Sequence, residues 1–319
     1  MLEMLNKALL KFMPIMTPTS VIIGILFTET FKPYAFLVPW LFAFMTFSGS
    51  LNSKFADIKT VIKYPRPLFI CLTILHLIMP LLAFGVGNVA FRHDPNTIIG
   101  LVLAFLIPTG VSSLVWVTIY KGNVILTLAI ILIDSLISPI VVPTILHLFF
   151  GTTVHMNGME IMQGLIWMIV LPSIAGMLLN EATKGKINKV LKPKLEPFSK
   201  ICLGLVVGLN GAVIAPYFKE INAKLLFITA IVFIVACSGY IISGFIAKIF
   251  NEETDIQIAL IYNGGMRNIS AGAVIAITYF PAAVAVPVII GMLFQQILAS
   301  FTGTVLSRRV KNYTSFGNF

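Results

Sequence analysis

The sequence has few charged residues, and this scarcity excludes most soluble proteins. Only 11% of its 319 residues are charged, whereas a soluble domain carries roughly 25%. Hydrophobic residues make up 58%, and the mean hydropathy is +0.98. The composition therefore predicts a polytopic helical membrane protein. In such a protein, the net charge of +10 indicates loop charges that set topology, and we expect no nucleic-acid partner.

Cysteine is also scarce, and the usual metal and catalytic motifs are missing. The three cysteines, Cys71, Cys202 and Cys237, lie singly in apolar segments without a Cys-x-x-Cys pair or a His/Cys cluster. This pattern supports neither a disulfide framework nor a zinc site. The sequence also lacks His-Glu-x-x-His and a nucleophile elbow. We therefore expect no cofactor, and a membrane enzyme is disfavoured.

Long apolar runs fill most of the chain. A helix needs about 20 apolar residues to cross the hydrocarbon. Ten such spans are predicted, at about 9–28, 34–52, 67–91, 97–119, 123–150, 161–180, 198–218, 224–249, 256–279 and 283–306. With ten spans, both termini lie on the same side of the membrane.

The Lys and Arg residues are distributed very unequally between the two sides. The side with the termini holds 17 of them, the opposite side holds only four (Lys32, Arg92, Lys219 and Lys224), and Arg267 lies inside a span. Because cytoplasmic loops are rich in Lys and Arg, both termini are predicted to be cytoplasmic. The predicted location is the cell (inner) membrane.

Two predicted spans carry interruptions at matching places. The fourth contains Pro108-Thr109-Gly110, and the ninth contains Asn263-Gly264-Gly265, followed by Arg267. Proline removes a helical hydrogen bond and paired glycines weaken a helix. Paired breaks in two halves of a membrane protein indicate a transporter site near the bilayer midplane.

The positions of the breaks favour a division into two repeats of five helices. Residues 1–155 form the first and 156–319 the second. Since each half has an odd number of spans, the second enters the membrane from the opposite side. We therefore predict an all-α protein of ten transmembrane helices built as two inverted repeats.

Two motifs identify a family resemblance. The stretch PTGVSSLVWVTIYKGNVILTLAIILIDSLISPIVVPTIL at 108–146 resembles the span 4–5 signature of the bile acid:sodium symporter family, and NGGMRNISAGAVIA resembles its span 9 signature. The resemblance implies a panel domain of helices 1, 2, 6 and 7 and a core domain of helices 3–5 and 8–10. In the core, broken helices 4 and 9 cross. It also implies alternating-access transport of organic anions, such as bile acids, pantoate-like acids and other carboxylates.

The resemblance also implies two sodium sites behind the crossover, and here the chain departs from the family. Ser113 and Thr127 match hydroxyl ligand positions. Leu114 and Ile131, however, replace a ligand asparagine and a ligand threonine. The carboxylate of the family is lost as well, because Asn263 stands where it has a glutamate.

Two further departures change the charge of this region. Arg267 stands where the family has a glutamine, and His76 lies one position from Leu75, where the family offers another glutamine. Hard cations require several oxygen ligands and favour a carboxylate. We therefore expect weakened or lost sodium coupling and degenerate sodium sites around Ser113, Thr127, Asn263, Arg267, Asp134 and His76.

Asp134 is the only acid deep in a predicted span. Because buried charges are usually paired, we expect Asp134 to neutralise Arg267, with Arg267 acting as a tethered cation in the vacated sodium region. Three roles stay open for the pair: a permanent structural ion pair, proton coupling through Asp134, or direct contact of Arg267 with a substrate carboxylate.

The substrate candidates line the breaks and the tenth span. They are Thr109, Ser112, Asn268, Gln295 and Gln296. The sequence thus predicts a secondary transporter of small or amphipathic organic anions in the lipid bilayer, and it does not indicate an oligomeric state. The alternatives are a sodium-independent proton-coupled or facilitative transporter, and a sensor or scaffold on the same fold.

Overall fold

The computed structural model describes residues 2–54, 64–151, 157–218 and 222–316. The predicted division between the repeats, at residue 155, lies outside these residues, as do Lys59, Lys63 and Lys219. The described residues are almost entirely helical, in agreement with the all-α prediction.

Thirteen helices follow one another along the described residues. They are α1 (Leu2–Leu26), α2 (Thr28–Ser50), α3 (Pro65–Ala90), α4 (Pro95–Leu106), α5 (Ser112–Ile119), α6 (Val124–Phe150), α7 (Gly158–Ala182), α8 (Lys186–Val190), α9 (Lys192–Phe218), α10 (Ala223–Ile249), α11 (Thr254–Gly265), α12 (Ile269–Tyr279) and α13 (Ala285–Phe316).

Among the described residues, six helices are long and apolar enough to cross a membrane: α3, α6, α7, α9, α10 and α13. The end of α1 and α2 form a bent pair, at 93°, that adds a seventh if it counts as one span. The chain is therefore an all-helical, multi-span membrane protein.

Asparagine and aspartate side chains define several helix starts. Asn123 accepts from the Leu126 N–H at the start of α6, and Asn222 accepts from the Leu225 N–H at the start of α10. Asp94 caps α4 in the same way. Each cap satisfies a backbone donor that the first turn leaves without a partner, which fixes where the helix begins.

The first interruption lies where the sequence predicts it. Helix α4 ends at Leu106, Pro108 to Gly110 are not helical, and α5 begins at Ser112. Proline has no N–H to continue the helical ladder and disfavours helical geometry in the residue before it. The predicted break at Pro108-Thr109-Gly110 is confirmed.

The second interruption lies later than predicted. Helix α11 continues through Gly264 and Gly265, and the break comprises Met266, Arg267 and Asn268. A Cβ atom at Gly264 would lie 2.0 Å from the Ser243 Oγ, and one at Gly265 would lie 2.4 Å from the Tyr240 ring. The glycines therefore permit close packing of α11 on α10, and they do not form the break themselves.

The two breaks meet inside the protein. The N–H of Asn268 donates to the carbonyl of Pro108 at 2.8 Å. A Cβ atom at Gly110 would lie 2.8 Å from the carbonyl oxygen of Arg267, so glycine is needed for this approach. The helix pairs α4–α5 and α11–α12 thus contact each other at their interrupted segments, which we call the crossover (residues 107–111 and 266–268).

The helices pack in two sets around the crossover. Helix α9 packs against α1 and α2, and α2 also packs against α7. In the other set, α3 packs on α4, α10 on α11, and α13 on α4, α10 and α12. The crossover lies within the second set, where α6 also contacts α11.

Candidate functional site

Arg267 is buried at the crossover, with 2% of its surface exposed. Its Nη1 donates to the carbonyl of Gly264 at 2.8 Å, to that of Met266 at 3.2 Å and to that of Asn263 at 3.4 Å. Its Nε donates to the carbonyl of Phe105 at 3.0 Å. The guanidinium therefore satisfies backbone oxygens at the ends of α11 and α4, which the breaks leave without helical partners.

Asp134 is fully buried on α6, and both of its oxygens are engaged. Oδ1 lies 2.6 Å from the Nε2 of His76, and Oδ2 accepts from the N–H of Thr109 at 2.6 Å. The carboxylate thus connects α3 and α6 to the first break.

The predicted direct ion pair between Asp134 and Arg267 is not formed. Among the described residues, no contact within 4 Å joins the two side chains, although their charges interact electrostatically through the protein. The reason is geometric: Asp134 is taken by His76 and the Thr109 N–H, while Arg267 is turned to backbone carbonyls. Both charges nevertheless lie at the crossover, as the sequence predicts.

His76 occupies a π-helical segment of α3, Ile74–Ile78. A π turn holds one more residue than an α turn, and such insertions occur frequently at functional sites. Its Nδ1 is buried and has no hydrogen-bond partner among the described residues. His76 therefore presents one ring nitrogen to Asp134 and keeps the other unused.

Thr109 joins the two breaks. Its backbone N–H donates to Asp134, and its Oγ1 lies 3.0 Å from the carbonyl of Asn263 and 3.1 Å from that of Met266. Because Thr109 is only 1% exposed, this side chain serves the crossover in the conformation described here.

Three further side chains form a hydrogen-bond network beside the crossover. The Ser113 Oγ donates to the Asn263 Oδ1 at 2.9 Å, and the Asn263 Nδ2 donates to the Thr127 Oγ1 at 3.1 Å and to the Ala259 carbonyl at 2.8 Å. All three side chains are fully buried. The structure therefore brings together the predicted ion-site residues of α5, α6 and α11.

The remaining candidates border this network. The Gln295 Oε1 accepts from the backbone N–H of Arg267 at 3.0 Å, and the Gln296 Oε1 accepts from the Trp116 Nε1 at 3.1 Å. Asn268 caps α12 by accepting from the Ala271 N–H, and Ser112 is the half-buried first residue of α5.

Residues 39–221, more than half of the chain, match the sodium bile acid symporter family. The chain belongs to this family. It is therefore a membrane transporter and not an enzyme, and its family comprises sodium symporters of bile acids and related metabolites.

Individual relatives align with most of the chain. YbaS of Bacillus subtilis (strain 168), an uncharacterized protein, is 48% identical over 296 residues, which cover 93% of this chain and 97% of YbaS. YocS of the same organism, an uncharacterized sodium-dependent transporter, is 25% identical over 91% of this chain and 89% of its own length. The probable sodium/metabolite cotransporter BASS1 of Arabidopsis thaliana chloroplasts is 23% identical over 96% of this chain and 76% of its own length.

The backbone atoms of the site leave no signal in the sequence of this transporter. The carbonyls of Phe105, Gly264 and Met266 are hydrogen-bond acceptors for Arg267, but a carbonyl leaves no mark in the residue type. The Trp116–Gln296 contact was not predicted from the sequence. Its only signal there is that each of the two residues carries a hydrogen-bonding group within an apolar span.

Proposed function

We propose that this family member is a secondary active transporter of organic anions in which Arg267 takes the place of a sodium ion. The observation that carries the proposal is the set of four backbone carbonyls, from Phe105, Asn263, Gly264 and Met266, that accept hydrogen bonds from one guanidinium. Carbonyls freed by a broken membrane helix are typical ligands of coupling cations in transporters.

The fixed charge of Arg267 argues against a mobile cation in the same place. Two unit charges 4 Å apart repel by about 4 kcal/mol at an effective dielectric constant of 20. Arginine remains charged under all physiological conditions. A sodium ion at these carbonyls would therefore have to displace the guanidinium and leave it buried without partners.

The hydroxyl network suits sodium poorly as well. Asn263, which stands where the family has a glutamate, contributes no negative charge, and its Nδ2 hydrogens point to Thr127 and Ala259. The carboxylate of Asp134 is already engaged by His76 and Thr109. The cation would thus meet two hydroxyls and one amide oxygen that already have partners, whereas hard cations require several free oxygen ligands.

The same proposal includes the architecture expected of a ten-helix inverted repeat. The two broken pairs, α4–α5 and α11–α12, would each form one span, and α1 and α2 would each form another. The helix set α1, α2, α7 and α9 corresponds to the panel, and α3–α6 with α10–α13 corresponds to the core. Residues 1–155 and 156–319 would be the two repeats, with both termini cytoplasmic.

The substrate class is an organic anion, and the crossover carries the features that would attract it. Helices α5 and α12 both begin there, and the N-terminal end of a helix carries a partial positive charge. The Nη2 of Arg267 is buried and has no hydrogen-bond partner among the described residues. It is therefore available to donate a hydrogen bond to a substrate carboxylate. Thr109, Ser112, Asn268, Gln295 and Gln296 are the proposed substrate contacts.

Uptake into proteoliposomes tests this function. The purified full chain is reconstituted into proteoliposomes, and uptake of radiolabelled pantoate, pyruvate or taurocholate is measured. The imposed gradient is of sodium, of potassium at equal concentration, or of protons. We expect uptake of at least one anion that is unchanged when sodium is replaced by potassium. Arg267→Gln should reduce this uptake, and the exposed Arg92→Gln should not.

A requirement for sodium would overturn the tethered-cation proposal. A second candidate, the sensor or scaffold, would be favoured if an anion raised the melting temperature of the protein without being transported. The observation that favours this second candidate is the network of Ser113, Thr127 and Asn263, which we interpret as a degenerate sodium site.

A further inference from the structure

The segment that joins α7 to α9 carries a concentration of positive charge that the proposed transport site does not use. This segment, residues 180–194, includes α8, and we call it the α7–α9 junction. Its five lysines are Lys184, Lys186, Lys189, Lys192 and Lys194, and its one acid is Glu181. Five lysines and one glutamate give the junction a net charge of +4 between two helices that are long enough to cross the membrane.

Four of these lysines are exposed and have no carboxylate partner. They are Lys184, Lys186, Lys189 and Lys194. In the part of the chain that the structure describes, no carboxylate lies within 4 Å of their ammonium groups. Lys200, by contrast, is buried, lies 2.9 Å from Glu196 and also donates to Asn6. The protein thus neutralises the lysine that it buries, and the charges of the junction are available to a partner outside the chain.

The backbone of the junction is fixed by its own hydrogen bonds. The N–H of Gly185 donates to the carbonyl of Asn180 at 2.8 Å, and the N–H of Lys186 donates to that of Thr183 at 3.0 Å. Lys184 and Gly185 both have positive φ angles, of 51° and 82°, which turn the chain between α7 and α8. The fold therefore sets the positions from which the lysine side chains extend.

This turn borders a surface pocket of about 420 Å³. The pocket is lined by Ala182, Thr183, Lys184, Lys186, Ile187 and Val190. Ile187 and Val190 are three positions apart on α8, so they lie on the same side of the helix. Val190 is 58% exposed. The pocket therefore combines two ammonium groups with uncovered apolar surface.

The hydroxyl of Thr183 is occupied within the protein. Its Oγ1 donates to the carbonyl of Leu179 at 2.7 Å and accepts from the N–H of Ile187 at 3.3 Å. The polar groups that the pocket offers to a ligand are therefore the ammonium groups of Lys184 and Lys186, which only donate hydrogen bonds and carry positive charge. Such a pocket selects an anion.

We propose that the α7–α9 junction binds the head group of an anionic phospholipid of the surrounding bilayer. Lys184 and Lys186 contact the phosphate, and Ile187 and Val190 contact the glycerol and the first methylene groups of the acyl chains. Basic pockets between membrane helices bind anionic head groups, and lysines beside the ends of membrane helices attract anionic lipids. The apolar half of the pocket favours a lipid over a free phosphate ion, which has no apolar part to place there.

The role of lysines in membrane topology does not account for this arrangement. The positive-inside rule depends on how many Lys and Arg residues a loop contains and not on where their side chains lie. It requires neither a pocket between two lysines nor the exposed Val190 beside them. In the proposed topology the lipid belongs to the cytoplasmic leaflet. Its binding depends neither on the transported anion nor on Arg267.

Native mass spectrometry of the full chain in a non-ionic detergent measures the binding. Dioleoylphosphatidylglycerol, which is anionic, and dioleoylphosphatidylcholine, which is zwitterionic, are the two probes. We expect the anionic lipid to bind more tightly. Lys184→Gln/Lys186→Gln should weaken its binding roughly thirtyfold, since each lysine near an anionic lipid surface contributes about fivefold. Binding of the zwitterionic lipid should change little. Equal affinity of the wild type for the two lipids would overturn the proposal.

Lys121→Gln/Lys248→Gln is the matched control. It removes the same charge from two exposed lysines outside the junction, on the same side of the membrane in the proposed topology. Each double variant changes one lysine of positive φ, Lys184 or Lys121. Both should melt as the wild type without added lipid, because all four positions are exposed. The control should keep wild-type affinity, and an equal loss in the two variants would overturn a specific site.

The apolar half of the pocket distinguishes a lipid from a soluble phosphate. Val190→Ser leaves the charge unchanged and should weaken binding of the anionic lipid by about threefold to tenfold, as expected when one or two methyl groups are no longer buried. Inorganic phosphate should not displace the lipid. Displacement by phosphate, or unchanged binding in Val190→Ser, would overturn the lipid assignment. Uptake that requires sodium would overturn the proposed function instead and leave the lipid site standing.

Discussion

The Oδ2 of Asp134 accepts a hydrogen bond from the backbone nitrogen of Thr109 at 2.6 Å. Helix α6, which has no break, thereby stabilises the break between α4 and α5. Since the N–H of Thr109 is freed from the helical ladder by Pro108, it needs an acceptor inside the membrane. The buried carboxylate is thus a structural element of the crossover as well as a charge.

Asp134→Ala should destabilise the protein strongly. It removes the acceptor of both His76 and the Thr109 N–H and leaves the charge of Arg267 without its nearby counterpart. Each buried donor left without an acceptor costs about 1–3 kcal/mol. Equilibrium unfolding in detergent measures the change. Glu29→Ala, at an exposed position, is the control and should stay within about 0.5 kcal/mol of the wild type.

Gly110→Ala should disrupt the crossover by sterics alone. The added methyl group would meet the carbonyl oxygen of Arg267 at 2.8 Å, and a backbone atom cannot rotate away. We expect lower anion uptake and a lower melting temperature. Gly85→Ala is the matched control, because it lies on the exposed side of a helix with nothing within 4 Å of the new Cβ. The control should be neutral or more stable by up to about 1 kcal/mol, and equal effects of the two variants would contradict the close approach.

Hydropathy and helix-breaking residues predict much of the fold. Apolar runs mark the long helices, and Pro108 marks the first break within a residue. The second break was misplaced because Gly264 and Gly265 look like helix breakers, while in the structure they make room for Ser243 and Tyr240. A glycine that breaks a helix and a glycine that allows close helix packing cannot be told apart in the sequence. Only the neighbouring residues in the structure distinguish the two roles.

The candidate site was predictable as a set of residues but not as a set of contacts. Arg267 and Asp134 were expected together because a membrane interior tolerates few charges. Their actual partners depend on tertiary geometry: backbone carbonyls for one, and His76 with the Thr109 N–H for the other. The π turn at His76 also changes which residues of α3 face the crossover, and hydropathy does not reveal such a turn.

The ion pair between Asp94 and Lys224 predicts that the stability of the fold depends on pH. Burial acts to raise the pKa of Asp94, but the hydrogen bonds from Lys224 and Thr97 outweigh it and hold the pKa below its ordinary value. The charged form is therefore favoured in the folded state. Its contribution is fully present above the unfolded pKa and is lost as the pH falls through the lower folded pKa.

Asp94→Asn keeps a side chain suited to capping α4 and removes only the charge. The Lys224–Asp94 contact, at 2.7 Å, is partly exposed, so we expect a loss of at most about 1 kcal/mol at pH 7. Unfolding measured from pH 7 to pH 3 should show this difference shrinking toward zero. Lys224→Gln should lower the stability at pH 7 in the same way, and a difference that is constant with pH would argue against the ion pair.

If Arg267 takes the place of a sodium ion, as we propose, then introducing the glutamate and glutamine that the family resemblance implies at positions 263 and 267 should create a response to sodium. In Asn263→Glu/Arg267→Gln, the carbonyls of Gly264, Met266 and Phe105 lose their guanidinium donor, and a carboxylate enters beside Ser113 and Thr127. This set of oxygens with one negative charge is what a hard cation prefers. The melting temperature of the double variant in detergent should rise when sodium chloride replaces potassium chloride, because a ligand that binds the folded state stabilises it.

The wild type should melt at the same temperature in both salts, since Arg267 already occupies the carbonyls. Arg267→Gln alone separates the two changes, because it vacates the carbonyls without supplying the carboxylate. We expect it to be destabilised with only a weak response to sodium. A wild type stabilised by sodium as strongly as the double variant would show that the ion binds beside Arg267, and the guanidinium would then be a neighbour of the cation and not its replacement.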